Sequence, residues 1–258
     1  MRHCSTHAGR RRAGSEAPLP FHSAKTAMNP SAAEAAIDPP VTSASENLFI
    51  PISLGNHYYS SAVLRSVLSD FIANSKSSVI FLCDRLRLLS YRIRGETDVR
   101  RANANIRLQL DQVTRSLMNL GMSAYPHAMV AHWSFLLSDP RHAALLSSLE
   151  DFVQDEPDLR RKLDGHAAAL IDRFGGLADS DIKDRIELQR QYVIEETALS
   201  LYMTEVRGYN VEVYRRGMGF VDDLYRERPA DLMSLTGKSR LDRRFVSLEQ
   251  WLAQPVLQ

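Results

Sequence analysis

The chain has 258 residues, 44% of them hydrophobic and 24% charged, the balance of a soluble globular protein. Its formal net charge is +1, so no global field marks a polyanion binder, and any nucleic-acid contact has to come from a local basic face. Two cysteines, Cys4 and Cys83, are too few for a disulfide framework, no run approaches the roughly 20 apolar residues of a membrane span, and a reducing, cytoplasmic setting is expected.

Residues 1–45 are rich in Ser, Ala, Pro, Thr and Arg and nearly empty of large apolar side chains. Such a segment cannot bury enough surface to offset its ordering entropy, and a disordered tail is expected there. Its Arg10, Arg11 and Arg12 are followed by no apolar stretch, so a secretory signal is not expected, and Met28 is an alternative start. The remaining 46–258 read as one α/β domain.

Order is expected from Asn47. Leu48-Phe49-Ile50-Pro51-Ile52 reads as a buried strand that ends in the polar turn Ser53-Leu54-Gly55-Asn56-His57. Val63, Leu64, Val67, Leu68, Phe71 and Ile72 recur at helical spacing, and Val79 to Cys83 form a continuous apolar run suited to a central parallel strand. Cys83 belongs to that run and reads as a small packed hydrophobe. Strand, helix and strand within about 35 residues make a right-handed βαβ unit. A long helix is expected from Asp98 to Leu120, a third strand over Ala128–Leu137, and short helices from Pro140 to Phe174. A further helix is expected from Asp181 to Glu205, and Val211–Tyr214 is expected to be the last strand, Gly208 marking the break before it. The sum is a mostly parallel, doubly wound sheet with helices on both faces.

Ligands of such sheets bind beyond the carboxyl ends of the strands, where Ser53, Asp84 and Tyr214 are expected. A serine leaving a strand for a helix can serve acyl transfer, with backbone N–H groups stabilising an oxyanion; Ser53 or Asn56 can equally just cap the helix. Tyr192 and Glu196, four apart, share a helix face and can hold an ammonium ion, or form a solvated pair in which Glu195 would do as well. Residues 85–115 carry eight arginines and few acids, so Arg100, Arg101, Arg107 and Arg115 suit RNA phosphates or face solvent.

Other chemistries find little footing. No Walker loop, G-x-G-x-x-G or G-x-S-x-G is present, and Gly237-Lys238-Ser239 is a faint echo of a synthetase loop. His127 and His132, or His142 and His166, lack the companions of a zinc site. Neither a cofactor nor a metal is expected.

Pro51-Ile52-Ser53-Leu54-Gly55-Asn56-His57-Tyr58-Tyr59-Ser60 resembles the G-I-S-x-x-N-S-Y-F-S segment of cyclodipeptide synthases. The strand ending before Asp84, Gly95, the basic helix and Tyr192-x-x-x-Glu196 follow in that family's order, over residues 47–225. The resemblance implies a Rossmann-like fold akin to the catalytic domains of class I aminoacyl-tRNA synthetases, without ATP chemistry. It implies that two aminoacyl-tRNAs are the substrates and a 2,5-diketopiperazine the product. Ser53 would be the nucleophile, Tyr192 and Glu196 would hold the α-amino group, and Tyr214 would be the later active-site tyrosine. Asn56, Pro51 and Leu199 would belong to the substrate site, and the arginine helix would bind tRNA. Pro51 stands where the family has glycine, and Arg215 follows the tyrosine in place of His or Pro. The short interval from Glu196 keeps Tyr209 as an alternative to Tyr214. Glu212 shares a strand face with Tyr214 and is expected to line the first side-chain pocket, favouring a cationic or hydrogen-bonding residue, unless it faces outward at an edge. Two rival functions remain: an aminoacyl-tRNA-dependent transferase to another acceptor, and a non-catalytic RNA-binding domain. A monomer is expected.

Overall fold

The computed structural model describes residues 45–172 and 179–253. The tail expected over 1–45, with Cys4, Arg10, Arg11, Arg12 and Met28, lies outside the described residues except for Ser45, and so does Phe174.

Five parallel strands form one sheet in the order β3-β2-β1-β4-β5. They are β1 (Asn47–Ile52), β2 (Ser77–Leu82), β3 (Ala128–His132), β4 (Val211–Tyr214) and β5 (Arg244–Ser247). The unbroken apolar runs of β1 and β2 are explained by burial on both faces. Phe49, Val79 and Phe81 enter one layer of the core, and Leu48, Ile50, Ile52, Ile80 and Leu82 the other.

The second layer is closed by α1 (Ser61–Ser66) with the widened turn Val67–Phe71, by α3 (Val99–Asn119) and by α10 (Leu248–Ala253). The first is closed by α2 (Asp84–Ile93), α4 (Ser134–Leu137), α5 (Pro140–Asp155), α6 (Pro157–Asp172), α7 (Asp179–Leu201), α8 (Gly219–Glu227) and α9 (Pro229–Thr236). Sequence-local caps begin several of these. Asp98 accepts from the N–H groups of Arg100 and Arg101 at 3.0 and 3.1 Å, and Asp139 from Arg141 at 3.0 Å with Pro140 in the first turn.

Three expectations need correcting. The apolar stretch from Ala128 stops being a strand at His132, and Ser134–Leu137 turn as a short helix. The helix expected to run to Glu205 ends at Leu201 and passes into a wide π turn over Tyr202–Val206, where Thr204 Oγ1 bonds back to the Ser200 carbonyl at 2.7 Å. Val211–Tyr214 is not the last strand. β5 follows it at the sheet edge, and its Arg244-Phe245-Val246-Ser247 is too short and too polar to announce a strand. Among the described residues no helix is long and apolar enough to cross a membrane.

The sheet opens where its order reverses. β1 pairs with β2 along its whole length but with β4 only at Leu48 and Phe49. The Ile52 carbonyl accepts from Cys83 at 3.0 Å on the β2 side, so alternation turns the Pro51 nitrogen toward β4. A residue without an N–H is tolerated there because the ladder has already ended. The two carboxyl ends diverge and leave a crevice between them.

Candidate active site

The crevice holds a cavity of about 1080 Å³ lined by the turn 53–58, one face of α2 along its length, one face of α7 and the segment after β4. Ser53, Asn56, Tyr192, Glu196 and Tyr214 all line it. Strand order 3-2-1-4-5 puts its reversal between β1 and β4, the position at which parallel sheets bind ligands.

Ser53 does not cap a helix. Ser60 takes that position, accepting from the Val63 N–H at 3.5 Å. Asn56 instead fixes the turn, its Oδ1 accepting from the Tyr58 N–H at 3.0 Å and its own N–H donating to the Ser53 carbonyl at 3.2 Å. Ser53 Oγ bonds the Tyr214 hydroxyl at 2.6 Å. Burial and the neighbouring Glu196 carboxylate push the Tyr214 phenol up, so it remains protonated. Gly55, in the turn that follows Ser53, has a left-handed φ of 69°. That backbone conformation selects glycine, and a Cβ there would also lie 2.6 Å from Arg87 Nη2, at the movable end of that side chain.

Tyr192 and Glu196 face the cavity from successive turns of α7. The Glu196 carboxyl is pushed up to about 8, first by burial and then by the Glu212 carboxylate, against a hydrogen bond from Tyr192. The adjacent Glu195 points elsewhere: it receives Arg85 at 2.5 and 2.7 Å and Gln191 at 2.9 Å. The two glutamates are therefore not interchangeable. Cys83, at the end of β2, lines the inner wall, where burial holds its thiol protonated.

Pro51, Leu199 and Glu212 are not brought to the cavity wall. Pro51 is buried in β1, its carbonyl accepting from the Tyr59 hydroxyl at 3.1 Å. Leu199 packs in the core beneath α7 at 2% exposure. Glu212 is fully buried below the cavity, where Ser200 donates to it at 2.8 Å and Arg243 Nε at 2.6 Å, so it is neither an outward-facing edge residue nor a pocket wall. Asp84 has a structural task as well, accepting from the Trp133 N–H at 3.0 Å and so tying the ends of β2 and β3. Tyr209 packs against the core and is not on the cavity wall. Arg100, Arg101, Arg107 and Arg115 lie exposed on α3, on the side opposite its buried Ala102, Ile106 and Leu117.

Several lining residues escaped the sequence reading. Arg87, Ser90 and Arg94 share a face of α2, a spacing of three and four visible only once that helix is placed at the crevice. Arg87 lies over the Tyr91 ring at 4.5 Å and donates to Gln109 at 3.2 Å. Arg215, read only as a departure, stacks 4.9 Å from the Tyr58 ring centre and donates to Glu249 at 2.5 Å. His166 of α6 also reaches the cavity.

The strand order and the crevice at its reversal define a Rossmann-like α/β fold. A family model for cyclodipeptide synthases matches residues 39–234, and the chain belongs to that family. Solved structures agree on the fold. A cyclodipeptide synthetase of Mycobacterium tuberculosis, described as related to type I tRNA synthetases, is 21% identical, with TM-score 0.60 over 71% of this chain and 79% of that one. A cyclodipeptide synthase from Fluoribacter dumoffii is 15% identical, with TM-score 0.61 over 78% and 89%. One from Candidatus Glomeribacter gigasporarum, solved bound to Phe-tRNAPhe, is 14% identical, with TM-score 0.50 over 81% and 89%. A comparison with curated proteins finds no match.

Proposed function

We propose that the protein joins the aminoacyl groups of two aminoacyl-tRNAs into a 2,5-diketopiperazine, in ping-pong fashion, through an ester on Ser53. The observation that carries this reading is the 2.6 Å bond between Ser53 Oγ and the Tyr214 hydroxyl in a cavity shared with Glu196. The relative solved with Phe-tRNAPhe bound supports tRNA-linked substrates.

In the first step Ser53 Oγ attacks the carbonyl of an aminoacyl ester, and its proton passes to the departing ribose oxygen. Ester is exchanged for ester, so ATP is not required. Tyr214 orients the serine oxygen and, as a protonated phenol, can donate to charge that develops there. Tyr192 and Glu196 then hold the α-ammonium of the bound residue. Glu196 takes one of its protons, and the amine attacks the second aminoacyl ester; the remaining surplus proton leaves with the second ribose oxygen. The second residue's α-ammonium then loses one proton to solvent, and its free amine attacks the Ser53 ester, closing the ring and returning the other surplus proton to the serine, while Glu196 releases its proton to solvent. Holding the first residue covalently makes the later steps intramolecular, worth several kcal/mol of barrier. Asn56 shapes the turn that carries the nucleophile, and Arg100, Arg101, Arg107 and Arg115 take up tRNA phosphates. This is aminoacyltransferase chemistry, suited to the cytoplasm where charged tRNA is found.

Mass spectrometry of small products formed from charged tRNAs tests the reading. A diketopiperazine is expected. A linear aminoacyl conjugate would point to transfer to another acceptor, and tRNA retention without product to RNA binding alone. With a labelled aminoacyl-tRNA, Ser53→Ala should lose the covalent adduct, and an adduct that survives the change would remove Ser53 as nucleophile.

A further inference from the structure

Beneath the cavity lies a buried ionic group to which the steps above give no task. Glu212 is on the same face of β4 as Tyr214, and Tyr192, Glu196 and Ser200 follow one another at four-residue steps along α7. Ser200 Oγ donates to Glu212 Oε2 at 2.8 Å, which puts the Glu212 carboxylate about one helical turn below Glu196. Arg243 donates through Nε to the same oxygen at 2.6 Å and through Nη1 to Asp222 at 2.8 Å. The side chains of Glu212 and Arg243 are 0% and 5% exposed. Glu212 Oε1 is buried and has no hydrogen-bond partner among the described residues.

The charges in this group do not cancel. One guanidinium is divided between Glu212 and Asp222. Close by, the buried Glu205 accepts from the Tyr225 hydroxyl and from the N–H groups of Asp242 and Arg243. Two carboxylates therefore share one cation, and the floor under Glu196 is anionic. Arg243 still has a necessary part, because an isolated carboxylate at this depth would take up a proton and lose its charge.

We propose that Glu212 is a positioning residue for peptide-bond formation, acting through Glu196. Its buried negative charge disfavours a second carboxylate one turn away and so makes Glu196 the better proton acceptor. The inference rests on the role given above to Glu196, that of holding and deprotonating the α-ammonium. Facing Glu196 are Tyr192 on its own helix, Tyr214 and Glu212 from β4, and Cys83 from the end of β2, while Arg87 of α2 bears on Tyr192. Of these, Glu212 is the carboxylate. A Glu196 carboxyl pushed up to about 8 matches an α-ammonium, whose ordinary value is about 8. The proton then moves from nitrogen to Glu196 Oε with little cost.

The test is the rate of diketopiperazine formation by the full chain, measured against pH for the wild type, Glu212→Gln and Asp222→Asn. Activity needs Glu196 ionised, so the rate rises with pH through its titration. Removing the Glu212 charge should move the half-maximal pH down by about one unit, the size of a single neighbouring-charge effect. Asp222→Asn leaves Arg243 wholly to Glu212 and should move it the same way by less. A folded Glu212→Gln protein with an unmoved half-maximal pH overturns the proposal, however large its rate loss. If Glu212→Gln does not fold, an unmoved value in Asp222→Asn does the same. Failure of the functional reading looks different: the wild type makes no diketopiperazine, and the role of Glu212 falls with it. A diketopiperazine and a Ser53 adduct with an unmoved pH midpoint remove Glu212 alone.

Discussion

A serine that ends a buried strand can cap the following helix or face the ligand crevice. Here Ser60, nearer to α1, takes the capping position, and the Ser53 hydroxyl is left to bond Tyr214. A similar division separates two neighbouring glutamates. Glu195 is tied into a two-bond pair with Arg85, whereas Glu196 looks into the cavity from the next position on the helix. A carboxyl raised from 4.5 to about 8 binds its proton more tightly in the folded protein than in the unfolded one. Between those values the native state holds more protons, so stability falls as pH rises through that window. Replacing Glu196 with Gln should abolish diketopiperazine formation and flatten this decline. Thermal unfolding at pH 5 and pH 9 would show it: the wild-type midpoint drops between the two, and that of Glu196→Gln drops less. An equal drop in both proteins would mean that Glu196 is ionised throughout.

At the level of elements, α3 combines two tasks that its sequence keeps on opposite sides. Ala102, Ile106 and Leu117 bury one side against the sheet, and Arg100, Arg101, Arg107 and Arg115 are exposed on the other. Guanidinium groups on a solvated helix face suit phosphates, and a helix with fewer of them displaces fewer counterions when RNA binds. Replacing Arg100, Arg101 and Arg107 with Ala should weaken tRNA binding in titrations and reduce the slope of log affinity against log salt by about 3. A slope that does not change would place the tRNA elsewhere on the surface. α2 is tied to its neighbours from two sides. Arg87 and Tyr91 bond Gln109 of α3, and Arg85 reaches Glu195 of α7. The Glu195 side chain is 2% exposed, so Arg85→Ala leaves a buried carboxylate without its cation. A loss of about 2–3 kcal/mol is expected, read in urea unfolding as a lower midpoint with an unchanged slope.

For the whole molecule, the local periodicities carry most of the architecture. Apolar runs at Leu48–Ile52 and Val79–Cys83 identify strands buried on both faces, and the spacing along α3 identifies a long amphipathic helix. Such patterns are legible because burial repeats every 2 or 3.6 residues along the chain itself. β5 is not legible in this way: four residues with Arg244 at one end and Ser247 at the other carry too little pattern, and the strand exists because β4 offers it an edge. The site divides along the same line. The sequence by itself determined the order of its parts, Ser53, then Asn56, the arginine helix, the Tyr192/Glu196 pair and Tyr214, and that order led to the family. Only the tertiary structure decided which of these meet. Ser53 and Tyr214 are 161 positions apart and touch because β1 and β4 are neighbours at the reversal of the sheet. Glu212 and Arg243, 31 positions apart, are an ion pair only because β4 and β5 lie side by side. No periodicity along the chain reports a contact between strands brought together by a crossover, and the charge beneath Glu196 is set by such contacts.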